Sequence, residues 1–370
     1  MKIPYVNLSA QWSEERENLL PIIDKALSKG DFVGGEAITE FEKRISKLCK
    51  VDYVVALNSG TDALTLALHL LGVGKGDEVI TTPNSFISSA AVIIHLGAKP
   101  VFVDVLEDQN MDPSKLTSVI TSRTKAIMPV HLTGRMCEMD EIMQIADHNS
   151  VPVVEDAAQS IGSRYKDRPS GSIGRIGCFS AHPLKNLNAF GDAGFLTTDS
   201  KEMAEKARSL SNHGLKGRNI VERFGFVSRM DTLQAVILNY HLENLNKVIN
   251  TRRENALKYS KILNPEYVSF NESKKDLFET YHTFVIKVNK RDALKHFLES
   301  KGVETSIHYP IPIHLQPAAS YLNLGVGSFP VVEDQANRIL TLPVNQYVST
   351  EEINIIAQQI NSFFVENSYG

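Results

Sequence analysis

The feature that most constrains this chain is an alternation. "TDALTLALHLL" (61–71) has the apolar spacing of a helix, and "EVITT" (78–82) reads as a strand. "SFISSAAVIIHLG" (85–97) reads as a helix, "KPVFVDV" (99–105) and "KAIMPV" (125–130) as strands, "MDEIMQIADHN" (139–149) as a helix and "VPVVED" (151–156) as a strand. The strands are apolar throughout. A strand that buries both faces belongs in a parallel sheet with helices above and below, so an α/β fold is expected. Two short strands follow, "GCFSA" (177–181) and "GFLTTD" (194–199), and a long helix starts near Asp231 and runs past Leu245. That helix carries Leu233, Val236, Ile237 and Leu238, more apolar residues than one face needs, which predicts burial on more than one side.

From about residue 250 the texture changes. "TYHTFVIKV" (280–288) reads as a strand, "DALKHFLESKG" (292–302) as a helix and "VETSIHY" (303–309) as a strand, before a Pro-rich loop, "PIPIHLQP" (310–317), and two more helical patterns. The expected division is a large domain over 1–248 and a smaller C-terminal α/β domain over 249–370, with the N-terminal segment packing on the small domain.

Totals narrow the function. With 370 residues the chain can build two cores, and a net charge of −4 argues against nucleic acid or an anionic membrane as a partner. The opening "MKIPYVNLSAQW" holds no signal-peptide core, so a cytoplasmic protein is expected. Cys49, Cys137 and Cys178 are far apart and suggest buried thiols rather than a disulfide or a zinc site. "GVGKGD" (72–77) lacks parts of a P-loop, and "SGSIGRIG" (170–177) is not a dinucleotide fingerprint.

Three segments carry candidate chemistry. "NSGTDAL" (58–64) opens a helix with small residues, so its free N–H groups and positive dipole end suit a phosphate; an ordinary Ser/Thr N-cap explains it equally. "VVEDAAQS" (153–160) puts Glu155 and Asp156 at the end of a buried strand, where open α/β sheets bind ligands; a turn aspartate is the plainer reading. "HPLKNLNAFGDAG" (182–194) brings Lys185 towards an apolar interior. A lysine in an enclosed site loses its proton more readily and attacks carbonyls, while a lysine at a loop rim does nothing of the kind. Gly191 and Gly194 would let backbone pass close to a flat ligand. One ligand unites the three: pyridoxal 5'-phosphate has a phosphate, a basic ring nitrogen and an aldehyde.

The same segments, with "SRMDTLQAVIL" (228–238), resemble the DegT/DnrJ/EryC1/StrS family of sugar aminotransferases over nearly the whole chain. The resemblance implies the aspartate aminotransferase-like type I fold, a homodimer with sites at the subunit interface, and transfer of an amino group, usually from glutamate, to a nucleotide-linked keto-sugar. It implies that Lys185 carries the cofactor and that Asp156 partners the ring nitrogen. Gln159 falls near the ring hydroxyl, Gly60, Thr61 and Ser180 on the phosphate, and Phe86 on the ring face. His308, Tyr309 and His314, with His213, Arg218 and Arg229, fall on segments that approach substrate. Two departures stand out. His182-Pro183-Leu184 precedes the lysine where the family often has an aromatic and then P-[ST], and Val227 stands where the family has an Asn that reaches the neighbouring subunit's phosphate, a role Ser228 or a water would have to take over. The rival readings are a dehydratase of the same fold, whose members carry histidine in place of the lysine, and a non-catalytic regulator.

Overall fold

A computed structural model describes residues 2–366. The central sheet contains β1 (Tyr53–Leu57), β2 (Glu78–Thr81), β3 (Lys99–Phe102), β4 (Thr124–Ile127), β5 (Val154–Asp156), β6 (Ile176–Ser180) and β7 (Gly194–Thr198). Two ladders build it, β1-β7-β6-β5 and β3-β2-β4. Parallel bridges at Ile127–Val153 and Val130–Asp156 join them, giving the order β1-β7-β6-β5-β4-β2-β3. All strands run parallel except β7, which is antiparallel to both β1 and β6.

Local chemistry explains the elements. The seven strands are almost wholly buried, as near-continuous apolar runs require. Ser59 caps the helix Gly60–Leu70, its Oγ accepting from the Asp62 N–H at 3.1 Å. One face of the sheet packs on the helix Glu36–Cys49, where Phe179 stacks on Phe195 at 4.6 Å between centroids and Phe41 meets Phe195 edge-on at 5.5 Å. Burying each ring stabilises the fold by about 1.5–3 kcal/mol. Gly194 is required by close approach, because a Cβ there would lie 2.3 Å from the Ser59 carbonyl carbon.

The C-terminal region has its own core, with a three-stranded antiparallel sheet of β8 (Val268–Phe270), β9 (Phe284–Val288) and β10 (Ile339–Leu342). Ile3 packs into that core and bridges Val303. The helix Thr232–Ile262 runs unbroken through residues 248 and 249, and both cores draw on it, Leu245 and Ile249 on one side and Ala256 and Tyr259 on the other. No described helix is long and apolar enough to cross a membrane.

Two expectations need correction, and one is met. Residues 303–309 form no strand, and only Val303 and Ser306 make isolated bridges, to Ile3 and Thr341. The alternating pattern there is satisfied by two distant segments rather than by one neighbouring strand. The burial expected on more than one side of the long helix is met at Val236, Ile237 and Leu238, where this helix packs on the helices Leu8–Ser28 and Glu36–Cys49. Gly194 makes room for the turn after β1, not for a ligand, and a Cβ on Gly191 would meet Gln234.

Candidate active site

The C-terminal ends of β1, β2, β5 and β6 lie along one edge of the sheet, and the turns after them enclose a cavity of about 440 Å³. Its walls hold Gly60, Thr61, Phe86, Asp156, Gln159, Ser180, Lys185, His308 and Tyr309, so nine residues singled out from the sequence meet in one place.

At one end is the start of the helix Gly60–Leu70. The first N–H groups of a helix have no intrahelical acceptor. Ser59 takes that of Asp62, which leaves those of Gly60 and Thr61 to face an anion. Ser180 closes this corner from the end of β6, so tightly that a Cβ on Gly60 would stand 2.7 Å from the Ser180 Cβ. The Ser180 Oγ accepts from the His182 N–H at 3.3 Å, and its own proton can point outward.

Asp156 is buried at the end of β5. Its Oδ2 accepts from Ser89 Oγ at 2.7 Å, and its Oδ1 from the Ala158 N–H at 3.2 Å. Burial raises its pKa, against the pull of the Ser89 and Ala158 hydrogen bonds and the Lys185 charge. Its neighbour Glu155 points to the other side of the strand. There it pairs with His131 at 2.9 Å and accepts from the N–H groups of Gly171, Ile173 and Gly174, so it is a structural group.

Lys185 sits in the turn after β6, its N–H on the His182 carbonyl at 2.8 Å. Burial lowers its pKa to about 8, with Asp156 holding it up. Its amine therefore carries a neutral fraction near neutral pH that an ordinary lysine lacks. Phe86 is 56% exposed and offers its ring to the cavity, 6.3 Å from that of Tyr309. Gln159 Oε1 accepts from the Thr133 N–H, and its Nε2 donates to the Tyr309 hydroxyl at 3.3 Å. Burial depresses the His308 imidazole to about 4, and its Nδ1 lies 3.0 Å from Thr341 Oγ1.

Other candidates lie elsewhere. His314 is buried at 1% exposure, paired with Glu333 at 3.0 Å and edge-on to Phe329, where it closes a small core. Arg229 does not line the cavity; it donates to Asn212 Oδ1 at 3.0 Å on a segment that bridges Leu57. His213, Arg218 and Val227 belong to an exposed arm with Phe224, which is 97% exposed. Ser228 is buried and donates to Asp62, so it does not reach outward in place of an Asn at 227. Sequence reasoning missed Ser89, Asp192 and His282, all lining the cavity. Ser89 had a faint signal, one of two adjacent hydroxyls at the start of a mostly apolar helix.

The residues present fit one group. An anion-binding helix start, a buried carboxylate held by Ser89 and a lysine of lowered basicity share a cavity, and pyridoxal phosphate carries a partner for each. The class is thus a pyridoxal-phosphate-dependent enzyme with the aspartate aminotransferase-like type I fold. More narrowly, the chain belongs to the DegT/DnrJ/EryC1/StrS aminotransferase family, which matches residues 13–361. It is 38% identical to the UDP-N-acetyl-3-dehydro-alpha-D-glucosamine 3-aminotransferase of Acidithiobacillus ferrooxidans, over 97% of each chain. It is 34% identical to a pleiotropic regulatory protein of Geobacillus stearothermophilus, over 98% of this chain and 99% of that one. Among solved structures, S. venezuelae DesV in complex with a ketimine intermediate superposes with a TM-score of 0.95, at 34% identity and 98% coverage of both chains.

Proposed function

We propose that this aminotransferase moves an amino group from an amino acid, L-glutamate, to the keto group of a nucleotide-linked sugar, making an amino-sugar for glycan or secondary-metabolite biosynthesis in the cytoplasm. The observation that carries the reading is the meeting of Lys185 and Asp156 in one cavity, each with its basicity shifted by burial. The sugar half of the reading is supported by the relative from A. ferrooxidans, whose name specifies a UDP-linked 3-keto sugar.

Bound pyridoxal phosphate supplies an electron-accepting ring and a carrier for the amino group. The chain supplies the rest. The N–H groups of Gly60 and Thr61 and the Ser180 hydroxyl would hold the phosphate. Asp156 would keep the ring nitrogen protonated, with Ser89 holding Asp156 oriented. Phe86 would cover one face of the ring, and Gln159 would lie by the ring hydroxyl. Lys185 would anchor the cofactor and, as a free neutral amine, would carry the proton that leaves the donor's α-carbon. His308 and Tyr309 face the sugar, and His308 does so as a neutral imidazole.

We read the chain as domains 1–248 and 249–370, the boundary falling inside the shared helix Thr232–Ile262, with the sugar entering beside the smaller domain. In a homodimer the exposed arm that carries His213, Arg218, Phe224 and Val227 would complete the partner's site, and Arg229 anchors its base. The exposed apolar residues Ile220, Val221, Phe224 and Phe226 favour such a covered arm.

The test is spectroscopic. The holoenzyme's absorbance band should shift on adding L-glutamate and return on adding a UDP- or dTDP-linked keto-sugar, with the amino-sugar found by mass spectrometry. A deoxy-sugar without nitrogen would instead mean a dehydratase. A band unmoved by any amino acid would mean a regulator.

A further inference from the structure

Arg252 sits on the helix Thr232–Ile262 at 6% exposure. Its Nη1 donates to the carbonyl of His282 at 3.1 Å and reaches that of Tyr281 at 3.5 Å. Its Nε is buried without a partner. Among the described residues no carboxylate pairs with it, although buried Arg135 has both Asp108 and Glu279. A buried cation without an anion is costly, and a guanidinium offers five donors in a fixed fork that suits a carboxylate.

Arg252 lines a chamber of about 40 Å³ with Tyr5, Leu184, His282, His308 and Asn345. Leu184, His282 and His308 also wall the active-site cavity, and Lys185 follows Leu184 in the chain. The chamber thus adjoins the reacting lysine. His282 adds a second orphaned buried atom, its Nδ1. Burial and the charges of Lys185 and Arg252 keep that imidazole neutral, and burial keeps the Tyr5 phenol protonated, so neither cancels the Arg252 charge. One water needs about 10–15 Å³, so the chamber takes a group of two or three heavy atoms and not a diphosphate.

We infer that Arg252, with His282 beside it, is the subsite that binds a carboxylate of the amino-acid donor. This rests on the transaminase reading, because it names what holds the donor while Lys185 works on it. It also separates the two substrates, with the donor's carboxylate in the small cationic chamber and the sugar in the larger cavity.

The test uses the holoenzyme and the Arg252→Gln variant. Glutarate, which has carboxylates but no amine, should bind wild type by calorimetry and bind Arg252→Gln at least tenfold more weakly. The glutamate concentration that half-converts the cofactor should rise by about ten- to hundredfold, the loss of one charge-assisted hydrogen bond. That rise should exceed any change in the keto-sugar half-reaction by at least tenfold. Should Arg252→Gln not fold, acetate on wild type decides: it should compete with glutamate in the first half-reaction and not with the sugar in the second. Unchanged glutarate binding in a folded variant would overturn the assignment, as would acetate that spares the donor step or slows both steps alike. A wild-type band that no amino acid moves would instead defeat the transaminase reading itself.

Discussion

Ser89 donates a hydrogen bond from its Oγ to Oδ2 of Asp156 at 2.7 Å. The bond joins the helix Ser88–His95 to the end of β5. It opposes the burial that raises the Asp156 pKa. Ser89→Ala removes it, so the carboxyl holds its proton to higher pH. The acid limb of the pH–rate profile should move up, with a several-fold lower rate near neutrality. Asp156→Asn should still bind cofactor but transaminate far more slowly, because an amide does not stabilise a pyridinium. A rate within a few-fold of wild type would mean that Asp156 has another role.

Lys185 should titrate near 8 in protein stripped of cofactor. Capture of pyridoxal phosphate needs the neutral amine. Its rate should therefore climb with pH up to about 8 and level off above it. Asp156 raises that pKa, so Asp156→Asn should shift the midpoint downwards. Stopped-flow absorbance across the pH range checks both.

Cofactor affinity should depend on the packed corner between Gly60 and Ser180. Ser180→Ala loses one hydrogen bond to a charged group and should weaken binding by about ten- to hundredfold. Gly60→Ala should do at least as much, because its Cβ would press on Ser180 at 2.7 Å. Val227 is 59% exposed, and Val227→Asn should tighten binding if it meets the partner's phosphate. Equilibrium dialysis of the three variants reads the outcome.

Stability should depend on Glu155. Truncation to Ala leaves His131 and the N–H groups of Gly171, Ile173 and Gly174 without their buried acceptor. The expected cost is about 3–5 kcal/mol, visible as a lower urea midpoint. The His131 and backbone hydrogen bonds hold the Glu155 pKa below the ordinary carboxyl value in spite of burial. Its contribution is therefore present above about pH 4.3 and is lost as pH falls through the lower folded value. Glu155→Gln should flatten that acid limb.

The cavity-lining residues of the large sheet were legible because each lies at or just past a strand end, within a few residues of an apolar run. Asp156 ends β5, Ser180 ends β6, and Gly60 and Thr61 follow β1. Residues that act through tertiary placement were not. Ser89 looks like a polar spot on an apolar helix until Asp156 is set against it. His282 reads as one alternating position of a strand, and Arg252 as one charge among several on a long helix. His314 misled for the opposite reason. Its Pro-rich loop folds into the short turn Ile313–Leu315, which carries the ring inward to Glu333. The strand expected at 303–309 failed because its partners, Ile3 and Thr341, lie hundreds and tens of residues away, beyond any local pattern.

The most direct test is where the cofactor attaches. Borohydride reduction of the holoenzyme, followed by proteolysis and mass mapping, should put the pyridoxyl phosphate label on Lys185, and Lys185→Ala should take up no label and turn over no substrate. Label on a different lysine, or wild-type turnover by Lys185→Ala, would contradict the assignment of this cavity as the active site.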